Sequence, residues 1–267
     1  MASSAQPKGL AVITGASTGI GYHLAQCAGA DGYDLLVIAN EPAIESAAQS
    51  LRASSGRVDA LETNLSTPEG VDKLMEWLAA DGRSVDILMA NAGVGFGNDF
   101  LDQDIDDVFK VVDTNIRGTL DVIHRIGNQM RSSGSGRILI TGSIAGFVPG
   151  SYMAVYNASK SFLNSFSFAL RNELQDSGVT VTCLMPGATE TPFFERGGLL
   201  NTAMGQSKKD DPADVAQKGY KALMAGEGDT VTGLTNKVMS SLANIIPAGF
   251  LAEMQAKVTK PGSGKDA

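Results

Sequence analysis

The chain has 267 residues, 43% hydrophobic and 19% charged, with a formal net charge of −8. That is enough apolar material for one large core, while an acidic chain whose Lys and Arg form no basic block is a poor partner for a nucleic-acid backbone. The short polar start, residues 1–8, leads into no signal-peptide core, and no later stretch reaches bilayer length without charge, Gly or Pro. A soluble, cytoplasmic protein with no membrane and no nucleic-acid partner is expected.

Short apolar runs alternate with longer amphipathic segments along the chain. The runs fall at 10–13, 35–39, 58–61, 87–90, 138–141 and 179–184, with a short last one at 230–233. Between them the spacing predicts helices at 19–30, 43–53, 68–80, 104–131, 153–175 and 212–224. Near-continuous apolar strands separated by helical patterns predict a parallel sheet covered on both faces. The stretch 187–210 has no clear period and contains Gly197-Gly198, so it reads as a mobile substrate lid. Residues 239–258 read as a packed terminal helix pair, and the ends, 1–8 and 261–267, as flexible. No composition break divides the chain, so 1–267 is expected to be a single domain.

Cys27 and Cys183 lie far apart in apolar runs and read as reduced core thiols. His23 and His124 have no partners at ligand spacing, so no metal site is expected.

The first strand runs into Thr14-Gly15-Ala16-Ser17-Thr18-Gly19-Ile20-Gly21, and a helix follows. Glycine permits positive φ and lets backbone approach a ligand, while the helix start offers free N–H groups to a pyrophosphate. At the first strand–helix turn of an alternating chain, this pattern points to a dinucleotide. The T-G-x-x-x-G-x-G spacing resembles the shorter branch of the short-chain dehydrogenase/reductase family. The likeness continues in order along roughly residues 9–233. Asn91-Ala92-Gly93 closes the fourth strand, and Asn115 lies in the next helix. Ser143 ends the fifth strand, Tyr156 and Lys160 form Y-x-x-x-K, and Pro186-Gly187 precedes Thr189 and Thr191.

The resemblance implies an α/β fold: a single Rossmann-type doubly wound parallel sheet of about seven strands. It implies an oxidoreductase moving a hydride between NAD(P)(H) and a carbonyl or secondary alcohol. Asn115, Ser143, Tyr156 and Lys160 are then the catalytic set. The cofactor residues are Gly15, Ser17, Thr18, Gly19, Ile20, Gly21, Asn40, Asn64, Leu65, Asn91, Ala92, Gly93, Tyr156, Lys160, Pro186, Gly187, Thr189 and Thr191. Relatives pair through the two long helices, which implies a homodimer or homotetramer.

The chemistry of these residues agrees. Tyr156 and Lys160, four apart, share one helix face. A free phenol, with a pKa of about 10, is a poor base near neutrality, and a nearby ammonium is expected to lower it. Ser143 is placed to hold a substrate oxygen. Choice of cofactor stays open. Ala39 stands where an acid would select NAD(H), and Asn40 where an arginine would grip NADP(H). Ser17, Thr18 and Asn40 could donate to a phosphate, and Glu41 would oppose one unless it points away. NADP(H) is favoured narrowly over NAD(H).

Expected wall residues are Val94, Phe96, Ile144, Ala145, Phe147, Met153, Phe193, Phe194 and Met204, with Glu190, Glu195 and Arg196 as charged exceptions. They favour a neutral, fairly hydrophobic small-molecule ketone or alcohol. The alternative is a non-catalytic NAD(P)-binding sensor on the same fold, which the intact Ser143, Tyr156 and Lys160 oppose. A lyase or epimerase of the family's longer branch would need a different glycine turn.

Overall fold

A computed structural model describes residues 7–53, 55–233 and 246–264. Seven parallel strands form one sheet in the order β3-β2-β1-β4-β5-β6-β7. They are β1 (Leu10–Thr14), β2 (Asp34–Ala39), β3 (Val58–Glu62), β4 (Val85–Ala90), β5 (Gly136–Thr141), β6 (Val179–Met185) and β7 (Asp229–Val231). The connecting helices are α1 (Gly19–Ala30), α2 (Ala43–Arg52), α3 (Pro68–Asp81), α4 (Ile105–Val112), α5 (Thr119–Ser133), α6 (Ala154–Glu173), α7 (Phe193–Arg196), α8 (Ala203–Gln206) and α9 (Pro212–Ala225). A last helix, α10 (Ala248–Thr259), follows β7.

The pleat explains the two cores. Leu10, Val12, Leu36, Leu88 and Ile138 face one way, onto Leu74, Ile126 and Leu163 of α3, α5 and α6. Ala11, Ile13, Leu35, Val37 and Met89 face the other, onto Leu24, Ile44 and Leu223 of α1, α2 and α9. Strands buried on both faces must be apolar at every position, which is why they read as unbroken runs. Pro68 and Pro212 open α3 and α9 behind Thr67 and Asp211, whose side chains accept from the N–H groups of Gly70 and Ala213.

Because β1 lies between β2 and β4, the connections leave in opposite directions at β1, and a crevice opens at the carboxyl ends of the strands there.

Three regions refine the sequence reading. The long helix expected at 104–131 is broken by a π-helical segment, Asp113–Gly118. The stretch 187–210 carries α7 and α8 rather than being structureless, and buries Phe194 and Leu199 with Met153 in a small third core. Of the expected terminal helix pair, α10 is present, and its first member lies outside the described residues up to 245. Of the ends expected to be flexible, residues 1–6 and 265–267 also lie outside the described residues. Lys8 pairs with Asp31 at 2.7 Å, and the Gly264 N–H donates to Asn201. Among the described residues no helix is long and apolar enough to cross a membrane, and no group of three His, Cys, Asp or Glu could hold a metal ion.

Candidate active site

The crevice is a cleft of about 820 Å³. It receives every expected site residue except Gly21 and Asn115, and all nine expected wall residues. One end is built from the glycine turn. Gly15 and Gly19 have φ of 66° and 58°, backbone that side chains with a Cβ rarely adopt. Thr18 precedes α1 without capping it, unlike Thr67 and Asp211, so the first N–H groups of α1 have no side-chain acceptor from that residue. Such a helix start favours an anion. Gly21 stands behind the turn. A Cβ there would strike the Gly15 carbonyl and lie 2.5 Å from Asn91 Nδ2. Its role is close packing of helix on turn, not lining.

Asn91 locks three strands together at this point. Its Nδ2 donates to Thr14 and Gly15 carbonyls at 3.2 and 3.3 Å, and its Oδ1 accepts from Thr141 Oγ1 at 3.1 Å. Thr14 Oγ1 in turn accepts from the Asn91 and Ala92 N–H groups. Asn64 and Leu65, both expected at the cofactor, line the cleft. Asn64 Oδ1 is already engaged by Ser66 at 2.8 Å.

Glu41 does not point away from the cleft, as phosphate binding was expected to require. It lines the cleft and accepts from Ser17 Oγ at 2.5 Å, which commits the Ser17 proton. That bond, with Arg196 beside it, holds the Glu41 carboxyl below the usual carboxylate range. An arginine is present after all: Arg196, at the end of α7, reaches Glu41 at 3.1 Å. Pattern reading after β2 could not find it, because the partner lies 155 residues further along.

At the other end, Ser143, Tyr156 and Lys160 converge. Ser143 Oγ accepts from the Ala145 N–H at 3.0 Å, and Asn164 on α6 brackets the Ser143 backbone through both its amide atoms. Asn164 lies one turn beyond Lys160, a spacing that could have flagged it. Lys160 Nζ donates to the Thr141 carbonyl at 2.8 Å and lies 5.8 Å from the centre of the Tyr156 ring. The Tyr156 ring packs against Phe193 at 5.1 Å, and a Cβ on Gly95 would come within 2.7 Å of it. Gly95 therefore makes room for the ring, a close approach that no sequence motif announces.

The expected acidification of Tyr156 by Lys160 is not what the protein chain alone produces. Tyr156 is partly open to the cleft, yet the packing around its hydroxyl pushes its pKa up to about 12, partly offset by the nearby Ser143 hydroxyl. Burial also lowers Lys160 to about 8, and one of its N–H groups donates to the Thr141 carbonyl. Desolvation outweighs attraction because the ammonium lies beside the ring, not on the phenolic oxygen.

Asn115 is fully buried behind Gly93 and does not line the cleft. Its Oδ1 accepts from the Val94 N–H at 2.8 Å, and its Nδ2 donates to the Val94 carbonyl and to Ser159 Oγ, both at 2.9 Å. The π-helical segment turns it inward to make these bonds. Beyond the expected walls, Val148, Gln255 and Val258 complete the cleft, the last two from α10. Ser151 Oγ donates to the Ala252 carbonyl and Thr259 Oγ1 to the Ser151 carbonyl, which fixes α10 over the opening.

A crevice with an uncapped helix start at one end and an enclosed phenol beside an amine at the other belongs to the nucleotide-dependent oxidoreductases. Comparison with known proteins narrows the class. A family model described as short chain dehydrogenase matches residues 9–198. An uncharacterised oxidoreductase of Myxococcus xanthus is 30% identical over 243 residues, covering 89% of this chain and 92% of its own. The solved short-chain dehydrogenase from Sphingobium yanoikuyae in complex with NADPH superposes with a TM-score of 0.78 at 26% identity, over 90% of this chain and 96% of its own. The 3-ketoacyl-(acyl-carrier-protein) reductase of Brucella melitensis complexed with NADH gives 0.73 at 25%, over 86% and 99%. The chain belongs to the short-chain dehydrogenase/reductase family. It is an NAD(P)(H)-dependent oxidoreductase acting on carbonyl or alcohol substrates.

Proposed function

We propose that this enzyme interconverts a neutral, fairly hydrophobic ketone and its secondary alcohol, with Tyr156 as the proton-transfer group and NADP(H) as the preferred cofactor. The observation that carries the reading is the convergence of Ser143, Tyr156 and Lys160 on one cleft edge, with Lys160 Nζ 5.8 Å from the centre of the Tyr156 ring. When bound, the nicotinamide cofactor supplies or accepts the hydride.

The chain's own residues do the rest. The Ser143 hydroxyl, held by the Ala145 N–H, donates weakly to the Pro186 carbonyl at 3.4 Å and turns that hydrogen to a substrate oxygen when one is bound. In the reducing direction Tyr156 gives that oxygen its proton, and in the oxidising direction it takes one. Lys160 keeps a positive charge beside the ring as phenolate character develops. Asn115 positions the loop after β4 at Val94, and α6 through Ser159, and does not line the cleft. The glycine turn and the uncapped start of α1 suit a pyrophosphate, and Pro186 to Thr191 close over it, Thr191 packing against Gly19.

The substrate reading rests on walls of Phe96, Phe147, Met153, Phe193, Phe194 and Met204. Relatives that carry NADPH or NADH support either dinucleotide. Exposed Ile105 and Phe109 on α4, with Phe162 and Phe168 on α6, support self-association as a homodimer or homotetramer through these helices.

The test is a screen that follows nicotinamide absorbance with both reduced cofactors against ketones and both oxidised ones against alcohols. Cofactor binding without turnover of any substrate, in wild type and Y156F alike, would favour a sensor instead.

A further inference from the structure

We propose that Arg196 is the residue that admits NADP(H), by exchanging its partner Glu41 for the 2′-phosphate of the adenosine ribose. This rests on reading the cleft as a dinucleotide site and goes beyond it by naming the determinant of cofactor choice.

Four charged side chains line the cleft among the described residues: Glu41, Lys110, Lys160 and Arg196. Lys160 is committed to the Thr141 carbonyl at the reacting end, and Lys110 lies 5.6 Å over the Phe96 ring. Only Arg196 stands with the turn after β2, where a ribose substituent is read in sheets of this kind. That turn offers Asn40 and Glu41 and no cation of its own. The arginine arrives from the substrate side, three residues after Phe193, and bridges the cleft to Glu41.

The bond is built to be exchanged. A single nitrogen, Nη2, makes both contacts, to Oε1 and Oε2 at 3.1 Å each. Nη1 and Nε make no hydrogen bond among the described residues, so most of the guanidinium fork is available. The Arg196 side chain is 54% exposed, and ion pairs that open to water are held weakly. A phosphate offers more charge and two oxygens to a planar fork, and so competes well with one carboxylate. Glu41 keeps its bond from Ser17 when Arg196 turns away. With a plain ribose no exchange is needed, and Glu41 remains an acceptor for its hydroxyls.

The two residues therefore pull the choice in opposite directions. Equilibrium binding of NADPH and NADH to the full chain, followed by cofactor fluorescence, tests this without turnover. R196A should weaken NADPH about ten- to a hundredfold, the value of one charged hydrogen-bonded contact, and leave NADH within about twofold. R196K should recover part of the NADPH loss, and E41Q should tighten NADPH while weakening NADH. Raised salt should erode the NADPH advantage and not NADH binding. Equal loss of both cofactors in R196A, or an unchanged ratio in both R196A and E41Q, overturns the assignment of Arg196. A wild-type chain that binds neither cofactor overturns the dinucleotide reading itself.

Discussion

Lys160 lies beside Tyr156 without a hydrogen bond to its hydroxyl: Nζ is 5.8 Å from the ring centre and donates one N–H to the Thr141 carbonyl. The pair is thus arranged for charge stabilisation by field rather than by a direct hydrogen bond. Replacing Tyr156 by Phe removes the hydroxyl and little else, because the ring keeps its contact with Phe193. Turnover should fall by about a hundred- to ten-thousand-fold, the usual worth of a general acid–base group. Cofactor dissociation constants should stay close to wild type. Stopped-flow turnover with titration of bound cofactor separates the two, and a Y156F enzyme of near-normal rate would sink the assignment.

Lys160 also writes a signature into stability. Burial sets its folded pKa at about 8, against 10.5 ordinarily. Between those values the unfolded chain binds more protons than the folded one, so stability rises with pH across that window. The whole difference amounts to roughly 3 kcal/mol. K160M removes this dependence. Its stability relative to wild type should therefore be greatest near neutrality and shrink as pH approaches about 10. Tyr156 acts with the opposite sign. Its raised pKa keeps the proton on the folded state longer, so stability falls as pH climbs from 10 towards about 12. Denaturant unfolding of wild type and K160M at several pH values measures the first effect. A pH-independent gap between them would contradict it.

Asn115 makes three hydrogen bonds from a fully buried position. N115A would strand the Val94 N–H and leave a small void, at a cost of about 2–4 kcal/mol. N115D keeps the size and the acceptor but loses the amide donor that serves Val94 and Ser159. Thermal unfolding should place both below wild type. Because Asn115 acts through Val94 and Ser159, kcat in the folded variants should fall with little change in cofactor affinity. Full activity in N115A would show that the π-helical turn serves packing alone.

How far the sequence could be read depended on whether a role was local. The strands were legible because burial on both faces forces unbroken apolar runs, as at β2, where every residue from Asp34 to Ala39 is buried. Gly15, Gly19, Tyr156 and Lys160 were legible because a turn and a helix face fix their spacing. Gln255 and Val258 were not, and Arg196, though expected near the cleft wall, was not placed against Glu41. They meet the cleft only after α7 and α10 have folded over it, and no periodicity connects them to β2 or β5. The direction of the Tyr156 shift was misread for the same reason, since desolvation depends on what packs around a group. The two short helices in 187–210 escaped because each is a single turn, too brief to show a period.

The glycine turn gives a sharper test than its motif suggests. Gly21 does not line the cleft, yet a Cβ there would collide with the Gly15 carbonyl and crowd Asn91 Nδ2. Both belong to the lock that holds β1, β4 and β5 together. G21A must therefore push α1 away from the turn or displace Asn91. Either movement shifts the first N–H groups of α1, which the pyrophosphate is proposed to meet. The variant should lose cofactor affinity by about tenfold or more and lose stability as well. G82A is the contrasting control: it places a Cβ on a glycine of positive φ, at 75°, a strain that Gly21 does not carry, and nothing lies within 4 Å of it. It should cost stability through backbone strain and leave cofactor binding unchanged. Calorimetric titration beside thermal unfolding distinguishes them, and equal cofactor affinity in G21A and G82A would refute the packing role assigned to Gly21.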